Sequence, residues 1–164
     1  MTAMTSLDRF CLWLEQTFWS QTIQSTAWIV PTVQTLHILA VATVVASALM
    51  LNLRLLGLVG LDQPLERLSA RFLPAIWWTL PVLLLTGVIM IIGEPARSLK
   101  NPIFQLKMGL LVAALAVTAL HALRLKRGGN RLAAGRRGAA LLIAIPALAL
   151  WSGIVFAGRW IAYF

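Results

Sequence analysis

Acidic residues and cysteine are scarce in this sequence. Only 5 of the 164 residues are Asp or Glu, and charged residues of both signs make up 12% of the chain, whereas an ordinary soluble domain has about 25%. The single cysteine, Cys11, excludes an intrachain disulfide and a metal cluster built from several cysteines of one chain. The low charge therefore argues against a soluble globular protein and against a disordered one.

Motifs that mark common enzyme classes are also missing. The chain contains no HExxH, GxSxG, P-loop or dinucleotide-binding pattern. No Asp or Glu occurs inside the long apolar runs, so a proton relay or ion pump based on carboxylates is disfavoured. The sequence excludes these classes and does not assign an enzymatic activity.

Apolar residues are abundant instead. Hydrophobic residues make up 60% of the chain and the mean hydropathy is +0.85. Each long apolar run holds about 20 residues, enough to cross a hydrocarbon layer about 30 Å thick as a helix. Because the backbone must satisfy its own hydrogen bonds in lipid, helices are expected rather than an open sheet. We predict an all-α, polytopic membrane protein that forms one domain over residues 1–164. It is a four-transmembrane-helix bundle with spans at residues 27–58, 74–93, 103–123 and 139–163.

An amphipathic segment precedes the first span. Residues 5–24 are too polar to cross a membrane, but apolar residues recur in them at helical spacing. Thr5 followed by Asp8 is typical of a capping box at a helix N-terminus. We predict one amphipathic helix over residues 5–24 that lies in the membrane interface.

The positive charges indicate the orientation of the chain. The net charge is +9, from 14 Lys and Arg, which in a soluble protein would suggest a nucleic acid partner. Here nine of the basic residues lie in or beside the connections 59–73 and 124–138, and five lie on the opposite side. By the positive-inside rule, both connections are cytoplasmic and both termini periplasmic. We predict the lipid bilayer as the partner, with no nucleic acid. We also predict a flexible loop at 124–138 and a tight hairpin at 94–102.

Two histidines lie within predicted spans, His37 in the first and His121 in the third. An ionisable residue inside a span indicates a functional site, and imidazole is a common ligand of haem b and of copper. The alternative is a neutral histidine that hydrogen-bonds a neighbouring carbonyl or hydroxyl. The spacing places the two about 12 Å apart in depth, so one haem bound by both is not favoured.

Three methionines are candidate partners of these histidines. Met90 and Met108 are predicted at the depth of His37, and Met50 at the depth of His121. Pairs of His and Met suit haem iron, and the same ligands suit Cu(I). The alternative is that these methionines fill irregular gaps in the core.

Three further residues complete the candidate haem site. Gln34, one turn before His37, is placed to orient the imidazole ring. Lys107 is placed to meet a propionate or phosphate at the outer surface, or to reach the lipid headgroups. Trp151, in the middle of the fourth span, is a candidate for packing on a porphyrin or for the protein core.

Two segments resemble those of known membrane families. Leu36-His37-Ile38, and Lys107 followed by His121, resemble the LH(I/L) and K-x(n)-H motifs of a loose group of small bacterial inner-membrane proteins. The group includes copper-resistance D-type proteins, membrane-bound protoporphyrinogen oxidases and four-helix families of unknown function. The resemblance covers residues 32–58 and 101–127 and is closest to the uncharacterised four-helix branch. It implies the bacterial inner membrane, with haem b chemistry in the oxidase group or copper movement in the copper-resistance group.

Three hypotheses follow for the function. The first is a haem b-binding protein for electron transfer, with His37 and His121 as candidate axial ligands and a redox partner or larger membrane complex beside it. The second is a copper-handling transport protein that uses His37, Met90 and Met108, with His121 as a further candidate metal ligand. The third is a cofactor-free accessory subunit or scaffold.

Overall fold

The computed structural model describes an all-helical chain. Its backbone covers residues 5–135 and 137–161. Side chains are described at residues 5–120, 122–123, 141–142 and 144–161. Within these ranges there is no strand, which confirms the all-α prediction. The helices are α1 (Ser6–Glu15), α2 (Phe18–Ser25), α3 (Ile29–Leu55), α4 (Leu65–Gly93), α5 (Pro95–Leu99), α6 (Pro102–Gly135) and α7 (Arg137–Trp160).

The N-terminal segment forms two short helices, so the prediction of one helix over residues 5–24 is wrong. The expected capping box starts α1: Thr5 Oγ1 accepts from the Asp8 N–H at 3.3 Å, and the Asp8 carboxylate accepts from the Thr5 N–H at 2.9 Å. The chain becomes extended at Thr17, whose hydroxyl oxygen accepts from the Ser20 N–H at the start of α2. A capping side chain competes with helix continuation, which explains the break before Thr17.

α1 and α2 pack on the end of the bundle where α4 and α5 meet. Ser20 Oγ donates to the Ile92 carbonyl at 2.7 Å, and Gln24 Nε2 donates to the Gly93 carbonyl at 2.9 Å. The last carbonyls of a helix have no partner within it, so α2 caps the C-terminus of α4. The fit is close, because a Cβ added to Gly93 would come within 2.9 Å of Ile23 Cγ2.

α3 ends in a Schellman motif. The Leu58 N–H donates to the Leu53 carbonyl and the Gly57 N–H to the Arg54 carbonyl, both at 3.0 Å. The motif needs one residue in the left-handed region, and Gly57 supplies it with a φ of 72°. The helix therefore ends three residues before the end of the predicted first span.

α4 begins at Leu65, nine residues before the predicted span 74–93. Leu65 and Leu68 are buried, whereas the Glu66 side chain between them is exposed. Because this amphipathic turn packs on the bundle, the helix runs without a break into the apolar run. The sequence predicts a brief surface helix within the connection 59–73, and residues 65–73 are indeed helical but form the first part of α4.

The two remaining connections also contain helix. Residues 94–102, predicted as a tight hairpin, include the single turn of α5. The flexible loop predicted at 124–138 is wrong for its described backbone, because α6 continues to Gly135 and α7 begins at Arg137. Leu, Ala, Arg and Lys dominate this stretch and have high helix propensity, which offsets its glycine pair. Residues 162–163 of the predicted fourth span lie outside the described residues.

The long helices form two antiparallel pairs. α3 packs mainly on α4, and α6 packs mainly on α7, while contacts of α3 with α7 and of α4 with α6 join the pairs. The core between them is apolar and buried. It consists of Val44, Ala48, Leu51, Ile76, Ala114, Trp151 and Ile154.

Three helical segments are long and apolar enough to cross a membrane. They are Ile29–Leu55, Leu65–Gly93 and Pro102–Leu120. The described part of α7 adds a shorter apolar segment, Ala144–Trp160. Large apolar side chains are exposed on all four long helices, among them Leu39, Leu84, Val112 and Leu142. Extensive exposed apolar surface indicates a face that is covered by lipid or by another apolar surface.

Candidate functional site

One hydrogen bond joins the His37 side chain of α3 to α4. His37 Nδ1 lies 2.8 Å from Thr86 Oγ1. The imidazole is half-buried, whereas Thr86 is buried. Gly87 gives the ring room, since a Cβ added there would lie 3.8 Å from His37 Cε1. The α3–α4 pair therefore fixes the position of the ring.

Thr86 also fixes which nitrogen of His37 holds the proton. Thr86 Oγ1 lies 2.7 Å from the carbonyl oxygen of Val82, one turn earlier in α4, and a carbonyl only accepts. The hydroxyl hydrogen of Thr86 is thus donated to Val82, so Thr86 Oγ1 accepts from the Nδ1–H of His37. A neutral imidazole has one N–H, and Nε2 therefore presents the lone pair with which histidine binds a metal.

Lys107 lies near the start of α6, at the same end of the bundle as His37 near the start of α3, because the two helices run in the same direction. Its Nζ lies against α7, where a Cβ added to Gly158 would be 3.6 Å away. Among the described side chains, Lys107 forms no hydrogen bond or ion pair. Arg159 follows Gly158 and adds a second basic residue at this depth. This end of the bundle is thus suited to an anionic group.

Met90 and Met108 lie at the same end of the bundle as His37. Met90 is one helical turn beyond Thr86 in α4, Met108 follows Lys107 in α6, and both are partly buried. Gln34 is exposed, and the residue that orients His37 is Thr86. Ligand roles for the two methionines stay predictions.

The relative depth of the two histidines follows from a small cavity between the helix pairs. Asn52 of α3 and Thr118 of α6 both line it, so they lie within about one helical turn of the same level. His37 precedes Asn52 by 15 residues, and His121 follows Thr118 by 3 residues in a helix of the same direction. At a rise of 1.5 Å per residue, the histidines lie on opposite sides of this level, about 27 Å apart along the helices.

This separation exceeds the 12 Å or so that the sequence suggested, because α6 is displaced along its axis relative to α3. Two imidazole ligands of one iron have their nitrogens about 4 Å apart. The backbone therefore does not allow His37 and His121 to share one haem. The side chain of His121 lies outside the described residues.

The two remaining candidates lie further along the helices, away from the His37 end of the bundle. Met50, the predicted partner of His121, is exposed on α3. Trp151 is only 4% exposed and packs among aliphatic side chains of the core. Protein therefore already covers the indole ring, which favours the core role over contact with a porphyrin.

Thr86 is the functional side chain that sequence reasoning missed. A hydroxyl in an apolar helix usually bonds to its own helix, as Thr79 does to the Ala75 carbonyl at 2.6 Å. Thr86 has the same local bond and so had no distinctive signal of its own. The available signal was its place in the outer half of the second span, at the depth of His37.

An ion pair ties α1 to the residue that follows α5. Lys100 Nζ lies 2.6 Å from Asp8 Oδ1. The hydrogen bond from Lys100, together with those from the hydroxyl and N–H of Thr5, lowers the pKa of Asp8 from 3.8 to about 2. The same bond to Asp8 raises the pKa of Lys100. Both groups are therefore charged near neutral pH.

Long apolar helices, apolar faces around the bundle and polar side chains enclosed between helices define an integral helical membrane protein. Within this class, the chain belongs to DUF6644, a family of unknown function that matches residues 10–164. No curated protein and no solved structure matches the chain. The match confirms the prediction of a family of unknown function, while the resemblance to copper-resistance D-type and protoporphyrinogen-oxidase-type proteins stays a prediction.

Proposed function

We propose that the protein crosses the bacterial inner membrane four times and binds haem b through Nε2 of His37 for electron transfer. The observation that carries this proposal is the hydrogen bond of Nδ1 to Thr86. This bond orients the ring and leaves the lone pair of Nε2 available to bind a metal. Histidines that bind metals usually donate their other ring N–H in this way. When bound, haem supplies one-electron exchange.

The residues around His37 have side-chain types that suit a haem group. Lys107 lies at the same end of the bundle as His37 and suits a propionate carboxylate. Met90, one turn beyond Thr86, offers a thioether, which is a known partner of imidazole on haem iron. Because the imidazole is only half-buried, the group can approach without opening the core.

A second candidate is Cu(I) bound by His37, Met90 and Met108. The observation that favours it is the position of both thioethers, partly buried at the same end of the bundle as His37. Imidazole and thioether ligands suit Cu(I). Copper in the purified protein that is lost in His37→Ala, with no haem absorbance, would support this candidate.

A reduced-minus-oxidised visible spectrum of the full-length protein in detergent, expressed with ample haem, tests the proposal. We expect a Soret band with sharp α and β bands that disappear in His37→Ala. The bands should persist in His121→Ala, because that residue lies about 27 Å away along the helices. A featureless spectrum would overturn the haem proposal. Metal analysis would then decide between copper handling and the cofactor-free scaffold.

Two variants of Thr86 form a matched pair for the orienting hydrogen bond. Thr86→Val removes the acceptor of the Nδ1–H, and we expect about 10-fold weaker haem retention or more. Thr86→Ser keeps the hydroxyl and should retain haem as the unmodified protein does. Thr79→Val removes a similar hydroxyl elsewhere in α4 and serves as the control.

The proposed orientation places the α3–α4 connection in the cytoplasm and α1 and α2 at the periplasmic surface. The excess of basic residues near the α3–α4 and α6–α7 connections supports it. The exposed sides of α1 and α2 are aromatic, which suits a position in the membrane interface. These aromatic residues are Phe10, Trp13, Phe18 and Trp19.

A further inference from the structure

A small polar cavity lies where the two helix pairs meet. It has a volume of about 10 Å³ and is lined by residues of α3, α4, α6 and α7. Most of the lining is apolar, but Asn52 and Thr118 contribute polar side chains, at 5% and 8% exposure. A cavity with buried polar groups differs from the dry voids of apolar cores.

The Asn52 amide has a defined orientation and an unpaired oxygen. Asn52 Nδ2 donates to the Ala48 carbonyl at 2.7 Å, and the reversed amide would place two acceptors against each other. Oδ1 is enclosed and has no hydrogen-bond partner in the described part of the chain. Buried polar atoms in native proteins are nearly always paired, with protein or with ordered water.

Thr118 presents a second acceptor to the same cavity. Its hydroxyl donates to the Ala114 carbonyl at 2.8 Å, which leaves lone pairs on Oγ1. Asn52 and Thr118 form no hydrogen bond with each other, since each donates to its own helix. Asn52 Oδ1 therefore lacks a donor, and Thr118 Oγ1 can accept one more hydrogen bond, so a ligand with two donors can serve both oxygens.

We propose that this cavity binds one water molecule, which donates one O–H to Asn52 Oδ1 and the other to Thr118 Oγ1. The volume fits, because a site for one water needs about 10–15 Å³ by this measure. The chemistry fits too, because water has two donors for the two acceptors. A hard metal cation does not fit, since it takes about six or more oxygen ligands and no carboxylate lines this cavity.

The bridge links the two helix pairs at a depth where no hydrogen bond between described side chains joins them. Asn52 belongs to the α3–α4 pair and Thr118 to the α6–α7 pair, and the two helices concerned pack mainly on other neighbours. One directional link between the pairs adds to the side-chain packing that sets their relative height. The site lies about 22 Å along α3 from His37, so it is independent of the proposed haem site.

A double-mutant cycle with Asn52→Leu and Thr118→Val tests the bridge. The unfolding equilibrium of the full chain is measured in mixed detergent micelles for both single variants and the double variant. A shared water predicts that the two changes are coupled by about fivefold in the unfolding constant, which is the worth of one hydrogen bond. Independent effects, within about twofold of additivity, would overturn the proposal.

A matched control and a direct measurement separate the bridge from simple packing. Thr43→Val removes a hydroxyl with the same local bond, to the Leu39 carbonyl at 2.9 Å, on an exposed side of α3. It should show no coupling with Asn52→Leu. In isotope-labelled unmodified protein in lipid nanodiscs, the Asn52 side-chain amide should show a magnetisation-transfer peak to bound water, which Thr118→Val removes. Absence of that peak in the unmodified protein would show a dry cavity and disprove the proposal, whatever the coupling.

Discussion

The threonines of the long helices form the same local hydrogen bond, and this bond determines how each hydroxyl can interact with other groups. Each donates its hydroxyl hydrogen to the carbonyl four residues earlier, as Thr43, Thr86 and Thr118 show. This bond uses the only donor and leaves the oxygen as an acceptor. The hydroxyl oxygen of a buried threonine in this bundle therefore accepts a hydrogen bond from a donor on the neighbouring helix. For Thr86 that is the N–H of His37.

The histidine could be predicted from the sequence, because an ionisable residue in an apolar run is rare and conspicuous. Its partner could not, because a hydroxyl in such a run has the same local bond whether or not a second group reaches it. Gln34, one turn before His37 in α3, was the predicted orienting residue, yet the residue in contact comes from another helix. Only the packing of α3 on α4 distinguishes Thr86.

The lowered pKa of Asp8 predicts how α1 responds to acid. The folded pKa of about 2 lies below the ordinary 3.8, so the Asp8–Lys100 pair contributes fully above the ordinary value. This contribution is lost as the pH falls through about 2. Hydrogen-exchange protection of α1, corrected for intrinsic rates, should exceed that of Asp8→Asn and keep this excess from neutral pH to about pH 5. An excess that already disappears over that range would contradict the assignment.

The positions at which helices begin and end differ between the sequence prediction and the structure. The length of an apolar run reports how much chain lies in lipid, whereas propensity, capping and packing decide where the helix stops. α4 therefore starts at Leu65 although its apolar run starts at Pro74, and α6 continues beyond its run to Gly135. The break before Thr17 has the opposite cause, because the side chain there caps a new helix.

The C-terminal cap of α4 predicts how α2 is held. Ser20→Ala and Gln24→Ala each remove one hydrogen bond to the end of α4, and each should weaken the docking of α2 by about 1 kcal/mol. Amide hydrogen exchange of residues 18–25 should become faster in both variants. Ser25→Ala is the control, because Ser25 bonds only to the Thr22 carbonyl of its own helix. Equal exchange in all three variants would mean that packing alone holds α2.

The class of the whole molecule follows from composition, but its internal geometry does not. Apolar content and the lengths of the runs dictate a helical membrane protein, because lipid accepts few other structures. The relative depth of the helices depends on how side chains interlock between the pairs. For this reason the sequence placed His37 and His121 less than half as far apart as the fold does.

The orientation of the molecule in the membrane can be tested with a pair of matched cysteines. Gln21→Cys in α2 and Gln63→Cys in the α3–α4 connection both replace an exposed neutral residue. In spheroplasts, a membrane-impermeant maleimide should label Gln21→Cys directly and Gln63→Cys only after permeabilisation, because positive charges favour the cytoplasmic side. The unmodified protein should stay unlabelled, since Cys11 is only 1% exposed. The reverse pattern would invert the proposed topology.

α6 is longer than a helix needs to be to cross a membrane. With 34 residues, the helix is about 51 Å long, some 20 Å more than a hydrocarbon core of about 30 Å. α3 ends at Leu55, soon after Asn52, whereas α6 continues from Thr118 to Gly135 in the same direction, so the extra length of α6 lies on the side of the α3–α4 connection. Electrostatic attraction fades over about 8–10 Å in physiological salt. A helix longer than the membrane is thick therefore carries its end beyond the distance over which the charge of the lipid headgroups acts.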